Sequence, residues 1–222
     1  MTILVVYAHH EPSSFTASMK NLAVQELSAQ GHNVIVSDLY AQGFSAVAQK
    51  WDFVTTTGKH FNYMLEQKHA AELDMSFAPD IVGELQKLAE AELLLVVAPL
   101  WWFSVPALLK GWFDRVLAKG VVWDEGRTYQ DGLLRGKQAM LAVCAGDPAD
   151  DYRDQGRHHA NLAQVLHPVN YGTLAYCGFD VHEPFVAAGL NRADPAQLQQ
   201  LLDELHFRLK NILTSPNWLV KH

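Results

Sequence analysis

Residues 92–116 read ELLLVVAPLWWFSVPALLKGWFDRV. The first nine, 92–100, are short, aliphatic and nearly free of polar alternation, which is how a strand covered on both faces reads. From Ser104 the spacing shifts to a helical period, predicting a helix over 104–119. Three consecutive large rings, Trp101, Trp102 and Phe103, stand where one element hands over to the other. A strand, a loop and a helix in this order make up most of a strand–helix–strand crossover.

The same texture recurs along the chain. TILVVYA (2–8), NVIVSDL (33–39) and KQAMLAVCA (137–145) are further buried strands, and a fifth is placed in FDVHEPFVAAG (179–189). Helices are predicted over 14–30 and 79–91, near 156–167 and over 195–213. Their start signals include Ser14, Ser104, Ala78-Pro79-Asp80 and Asp194-Pro195. Strands alternating with helices imply right-handed crossovers, hence an α/β fold with a doubly wound parallel five-stranded sheet. Residues 1–222, 49% hydrophobic and without a low-complexity tract, read as a single domain. One stretch breaks the rhythm: 41–77 is too long for an ordinary connection and is read as an excursion that packs on the body or reaches a neighbouring subunit.

The formal net charge of −7, with no Lys/Arg cluster, argues against an electrostatic hold on nucleic acid or anionic membrane, so small molecules are the expected partners. TILVVYA has no basic segment before it and is too short to span a bilayer, so a cytoplasmic location without membrane insertion is expected. Cys144 and Cys177, both in apolar runs and neither in a CxxC, read as buried reduced thiols.

In a doubly wound sheet, ligands bind beyond the carboxyl ends of the strands. Three loops matter there: 9–20, 99–106 and 144–159. The first lacks GxGxxG but clusters Ser13, Ser14 and Thr16 at a helix start, after His9. Hydroxyls and free N–H groups there suit a phosphate, and they are equally ordinary helix caps. In the second loop, Trp101, Trp102 and Phe103 cannot all face one core and offer ring faces to a planar ligand, whereas Trp112 and Phe113 read as core. In the third, Tyr152 and His158 can pass a proton or steady a developing charge. His159 and His167 read as surface or structural residues, and no metal site is expected, because the histidine spacing is wrong and no carboxylate partner pattern stands near.

Seven segments, YAHHEPSSFTASMK, SDLYAQGF, HFNY, PDIVGELQKL, PLWWFSVPALLKGWFDRV, YRDQGRHH and YCGFDVHEP, together resemble the DT-diaphorase family of NAD(P)H:quinone oxidoreductases. The resemblance runs nearly end to end and implies a three-layer flavodoxin-like fold with strand order 2-1-3-4-5. It also implies bound FAD, ahead of FMN, a homodimer with sites at the subunit interface, and ping-pong hydride transfer from NAD(P)H to a quinone. Carried over by motif, His9, Ser14, Phe15 and Thr16 hold the pyrophosphate side, while Pro99, Leu100, Trp102 and Phe103 pack the isoalloxazine beside Trp101. Tyr152 and His158 match the family's proton relay, and His60 and Asn62 of HFNY match the segment that reaches the partner's adenine.

There are departures. Cys144-Ala145-Gly146-Asp147 stands where the family has Thr-Thr-Gly-Gly at the flavin's pyrimidine edge, so Asp147 adds a side chain and a charge. Trp123 and Glu125 replace two tyrosines of the substrate pocket that Trp102, Phe103 and His158 also line, and the arginine near the adenosine falls at Leu198. Azo- or nitroreduction by the same chemistry, or a role as flavin-bearing regulatory subunit of a membrane transporter, are the alternatives that the resemblance leaves open. A one-electron carrier fits poorly with so bulky a loop and no strong acidic run.

Overall fold

The computed structural model describes residues 1–58 and 60–222. Its sheet is built from β1 (Thr2–Tyr7), β2 (Asn33–Asp38), β3 (Leu93–Pro99) and β4 (Gln138–Cys144), all parallel, in the order β2-β1-β3-β4. The fifth strand position is held by two short pieces, β5 (Asp180–His182) and β6 (Phe185–Ala187), both parallel to β4. Glu183-Pro184 interrupts it, and proline, having no N–H to give, suits such a break. The strand order is therefore the expected 2-1-3-4-5. One strand escaped the sequence reading: β7 (Trp218–Val220) pairs antiparallel with β5 and covers that edge.

Every residue of β3 is buried, as its unbroken aliphatic run requires. Alternate residues face opposite layers. Ile3, Val5, Leu93, Leu95 and Met140 pack under α1 (Phe15–Ala29) and α6 (Pro195–Asn211). Leu4, Val6, Leu94, Val96 and Leu141 pack under α3 (Pro79–Glu90), α4 (Ala107–Val116) and α5 (Leu162–Val169). Trp112 and Phe113 lie in this second core.

Two helix starts differ from expectation. α4 begins after Pro106 rather than at Ser104, because Ser104 exchanges both backbone hydrogen bonds with Trp101, at 2.8 and 3.0 Å, and is held in a turn. α5 begins at Leu162, behind a capping box of Asn161 and Gln164, not at 156. Residues 156–161 instead fold back on 150–151, where the His158 N–H donates to the Asp151 carbonyl at 3.0 Å. The helix then runs past Pro168 as a wider turn over Asn170–Leu174 and a tight one over Ala175–Cys177, ending at the left-handed Gly178.

The excursion 41–77, apart from Lys59, carries a short turn at Lys50–Asp52 and the helix α2 (Tyr63–Glu72). Arg115 pins it to the body: its guanidinium donates to both oxygens of Asp52 (3.1 and 2.9 Å), to Asp80 (2.6 Å) and to the Ser45 carbonyl (3.0 Å). Gly111 makes room for this packing, since a Cβ there would lie 2.2 Å from the Ala46 carbonyl oxygen.

Candidate functional site

The strand registers bring the carboxyl ends of the sheet together: Tyr7 lies beside Val97, Pro99 beside Cys144, and Cys144 beside Ala187. The three loops that follow β1, β3 and β4 therefore emerge side by side. The Leu100 N–H donates to the Cys144 carbonyl at 2.7 Å, the Thr16 hydroxyl lies 3.0 Å from the Cys144 sulfur, and the His9 and Trp101 rings approach to 5.9 Å.

Ser14 caps α1, its hydroxyl accepting from the Ala17 N–H at 3.1 Å. The first-turn N–H groups of Phe15 and Thr16 have no acceptor within the helix. Just ahead, the Glu11 carboxylate accepts from the N–H and the hydroxyl of Ser13, at 2.8 and 2.7 Å. Those two donors hold the Glu11 carboxyl below its ordinary range. The loop thus gathers donors around an anion, as a phosphate-binding turn does. Glu11 was missed in the sequence because an acidic residue argues against an anion site until it is seen occupying one.

The second loop is a tight reverse turn, closed by the two backbone hydrogen bonds between Trp101 and Ser104. Trp102 and Phe103 sit at its tip with φ of 50° and 57°, left-handed values that bulky residues rarely adopt. Their rings are 96% and 45% exposed, while Trp101 turns back onto His9 and His10. Strain of this kind persists only when the surroundings impose it, and it clusters at binding sites.

Phe103 faces the third loop. Its ring meets that of His158 edge-on, with centroids 5.1 Å apart, and that of Tyr152 at 6.2 Å. Tyr152 and His158 lie 4.7 Å apart, ring to ring. Burial, and after it the Asp147 and Asp151 carboxylates, push the Tyr152 phenol above its ordinary value, so it remains a donor at neutral pH. The carboxylate partner that the sequence reading did not find for His158 is present: Asp147 Oδ2 stands 3.0 Å from its Nε2, and Asp151 joins the cluster within 4.8 Å. The turn at Ala149–Asp151 folds the acidic run back, a proximity that linear spacing conceals.

In the segment after β6, the N–H groups of Leu190, Asn191 and Gly189 donate to the carbonyls of Ala145, Gly146 and Asp147, at 3.2, 3.0 and 2.8 Å. Those bonds use the carbonyls of 145–147, and the N–H groups of Gly146 and Asp147 have no partner among the described residues. The turn N–H groups of Trp102 and Phe103 likewise have no partner among the described residues. Free donors in two neighbouring loops, beside exposed rings, suit the carbonyl and nitrogen rim of a planar heterocycle such as a flavin. Next to Asp147, a cavity of about 320 Å³ lies between Pro148 and the start of α6, lined by Arg192, Gln197, Gln200 and Glu204.

The remaining predicted residues stand apart from these loops. Trp123 packs edge-on against Tyr176 at 5.5 Å, and Glu125 pairs with Lys119 at 2.7 Å. Asn62 caps α2 through the Leu65 N–H at 3.2 Å, and His60 is exposed. No hydrogen bond, ion pair or ring contact among the described residues joins these four to the three loops of the same chain.

The flavodoxin-like fold family matches residues 1–209. The human ribosyldihydronicotinamide dehydrogenase [quinone] is 42% identical over 212 residues, covering 95% of this chain and 91% of its own length. The guinea pig (Cavia porcellus) NAD(P)H dehydrogenase [quinone] 1 is 36% identical over 210 residues, covering 94% and 76%. A Klebsiella pneumoniae protein assigned as a quinone reductase superposes with a TM-score of 0.92 at 35% identity, over 99% of this chain and 87% of that one.

Proposed function

The chain belongs to the flavodoxin-like family that includes the quinone dehydrogenases, and from that premise we propose that it is an NAD(P)H dehydrogenase of quinones that works through bound FAD. One observation carries the reading: exposed Trp102 stands next to Phe103, whose ring faces Tyr152 and His158, at the carboxyl edge of the sheet and beside the donor-rich start of α1. A bound flavin supplies two-electron chemistry in such a cleft, taking hydride from a nicotinamide and giving it to an acceptor. The rings of Trp102 and Phe103 cover the heterocycle, and the N–H groups of residues 146–147 meet its polar rim. Tyr152 and His158 donate to the charge that develops there and move protons to the acceptor. Ser14, Phe15 and Thr16 hold the phosphate side. The cavity next to Asp147, with Arg192 in its wall, supports FAD over FMN by giving the adenosine somewhere to go.

The site is half-walled in one chain, which supports a homodimer. Trp102 at the loop tip is 96% exposed, and Trp51 and Val54 of the excursion are 73% and 71% exposed, apolar surface that a second subunit would cover. In the dimer, Trp123 and Glu125 of the partner close the acceptor pocket, and the 60–62 segment reaches the cofactor. Donor and acceptor then take turns at the same face, in a ping-pong order. A second reading concerns the donor: the higher identity to ribosyldihydronicotinamide dehydrogenases favours a dihydronicotinamide riboside beside NAD(P)H. Azo and nitro compounds are alternative acceptors for the same chemistry.

The test is to denature the purified protein and identify the released flavin by mass, then to vary donor against quinone in steady state. FAD and parallel double-reciprocal lines are expected. FMN would overturn the cofactor assignment, intersecting lines the ping-pong order, and a protein indifferent to any flavin the whole reading.

A further inference from the structure

We infer that Asp147 is a positioning residue for His158, fixing which imidazole nitrogen faces the ligand. The inference rests on the proposed function, since it concerns the same histidine. Asp147 Oδ2 lies 3.0 Å from His158 Nε2, with the two side chains only 35% and 15% exposed. Each partner is anchored independently. The Asp147 backbone carbonyl accepts from the Gly189 N–H at 2.8 Å, which ties its main chain to the segment after β6, while the His158 N–H donates to the Asp151 carbonyl at 3.0 Å. Two fixed backbones, on separate parts of the loop, hold the pair at bonding distance.

The chemistry follows from what each group can do. A carboxylate only accepts, so Nε2 must carry the hydrogen, and in the neutral ring Nδ1 keeps the lone pair. Phe103 stands edge-on to the ring at 85° and Tyr152 lies tilted against it at 45°, so both steady its plane. Nδ1 is then the atom that faces the acceptor. When it has taken up a proton from solvent, the positive charge on the ring is met by Asp147 through a charge-assisted hydrogen bond; on transfer the Nδ1–H bond breaks as an O–H bond forms on the acceptor, which returns the neutral ring with its hydrogen still on Nε2. Asp151 is the rival acceptor, yet its carboxylate makes no hydrogen bond to the ring among the described residues. The glycine that the family resemblance expects at this position has no such carboxylate.

The experiment uses the purified protein with its cofactor, labelled with ¹⁵N-histidine. A low-field proton resonance bonded to Nε2 of His158, assigned by its loss in His158→Gln, is expected in the parent and in Asp151→Asn. It should vanish in Asp147→Ala. Asp147→Asn, of the same shape, guards against misfolding and should move the resonance upfield, because a neutral amide oxygen is the weaker acceptor. Stopped-flow reduction by the nicotinamide donor should show a limiting rate about 10- to 100-fold lower in Asp147→Ala, as carboxylates that orient imidazoles typically cost when removed. Donor affinity and flavin content should stay within about twofold. Persistence of the resonance in Asp147→Ala, or an unchanged limiting rate there, overturns the inference. Parent rates in His158→Gln overturn the functional reading instead, while the resonance still reports on Asp147 without any turnover.

Discussion

Replacing Trp102 by glycine should separate binding from folding. The residue sits at φ 50° with its ring 96% exposed, so the ligand-free chain bears a backbone cost and gains almost no burial in return. A left-handed non-glycine residue costs about 1–2 kcal/mol. Glycine removes that cost but returns about 0.5–1 kcal/mol through its greater freedom in the unfolded chain. Ligand-free Trp102→Gly should therefore be as stable as the parent, or more stable by up to about 1.5 kcal/mol. Flavin binding should move the other way. A heterocycle covering one ring face removes about 100 Å² of the roughly 200 Å² that a tryptophan can bury, worth about 2.5 kcal/mol at roughly 25 cal/mol per Å². That is between tenfold and a hundredfold in Kd, roughly. Urea unfolding of flavin-free protein and a fluorescence-quenching titration with flavin give the two numbers. If the variant is destabilised by more than about 1 kcal/mol while flavin affinity is unchanged, the ring is structural and the strain argument fails.

The sheet was legible because burial on both faces leaves a strand no polar alternation. Leu93–Pro99 and Gln138–Cys144 read as strands for the reason that helical layers cover them. Strand five was harder, since Glu183-Pro184 splits it into two three-residue pieces, each too short to carry a pattern. Helix starts were legible where a side chain caps, as at Ser14 and Asp194, and misread where the backbone decided: Ser104 looked like a cap but pairs with Trp101. At the site, residue types announced the rings, the hydroxyls and the Tyr152–His158 pair. What they could not announce was a reverse turn with two large residues at positive φ, because turn chemistry predicts glycine or asparagine there. Nor could they announce Asp147 against His158, eleven residues apart, a closeness made by a short turn and a loop folding back. Local composition shows in the sequence. Contacts that depend on two loops meeting do not.

Two further outcomes follow from buried charge. Arg115→Met should lower stability by about 3–5 kcal/mol, because among the described residues it strands fully buried Asp52 with the Tyr63 hydroxyl, at 2.6 Å, and the Gln49 N–H, at 3.1 Å. The urea midpoint measures the loss, and limited proteolysis should cut first within 41–62, the segment that this guanidinium pins; an unchanged midpoint would show that the network contributes nothing net. The last expectation concerns acid. His182 is 1% exposed, donates from Nε2 to Gln138 Oε1 at 2.9 Å, and stacks on Trp218 at 4.3 Å, joining β5 to β7. Burial first, and the nearby Arg208 charge second, push it down to about 4 from the ordinary 6.5. The unfolded chain therefore takes up this proton before the folded one does. The stabilisation is complete above about pH 6.5 and falls away as the pH drops towards 4. The interval of about 2.5 units corresponds to a total loss of about 3 kcal/mol. His182→Gln, which keeps a polar partner for Gln138 but cannot titrate, should flatten the stability curve across that window while leaving other acid-sensitive carboxylates to act below it. If parent and variant lose stability with the same slope between pH 6.5 and 4, the folded protein admits the proton, and the β5–β7 edge opens to let it in.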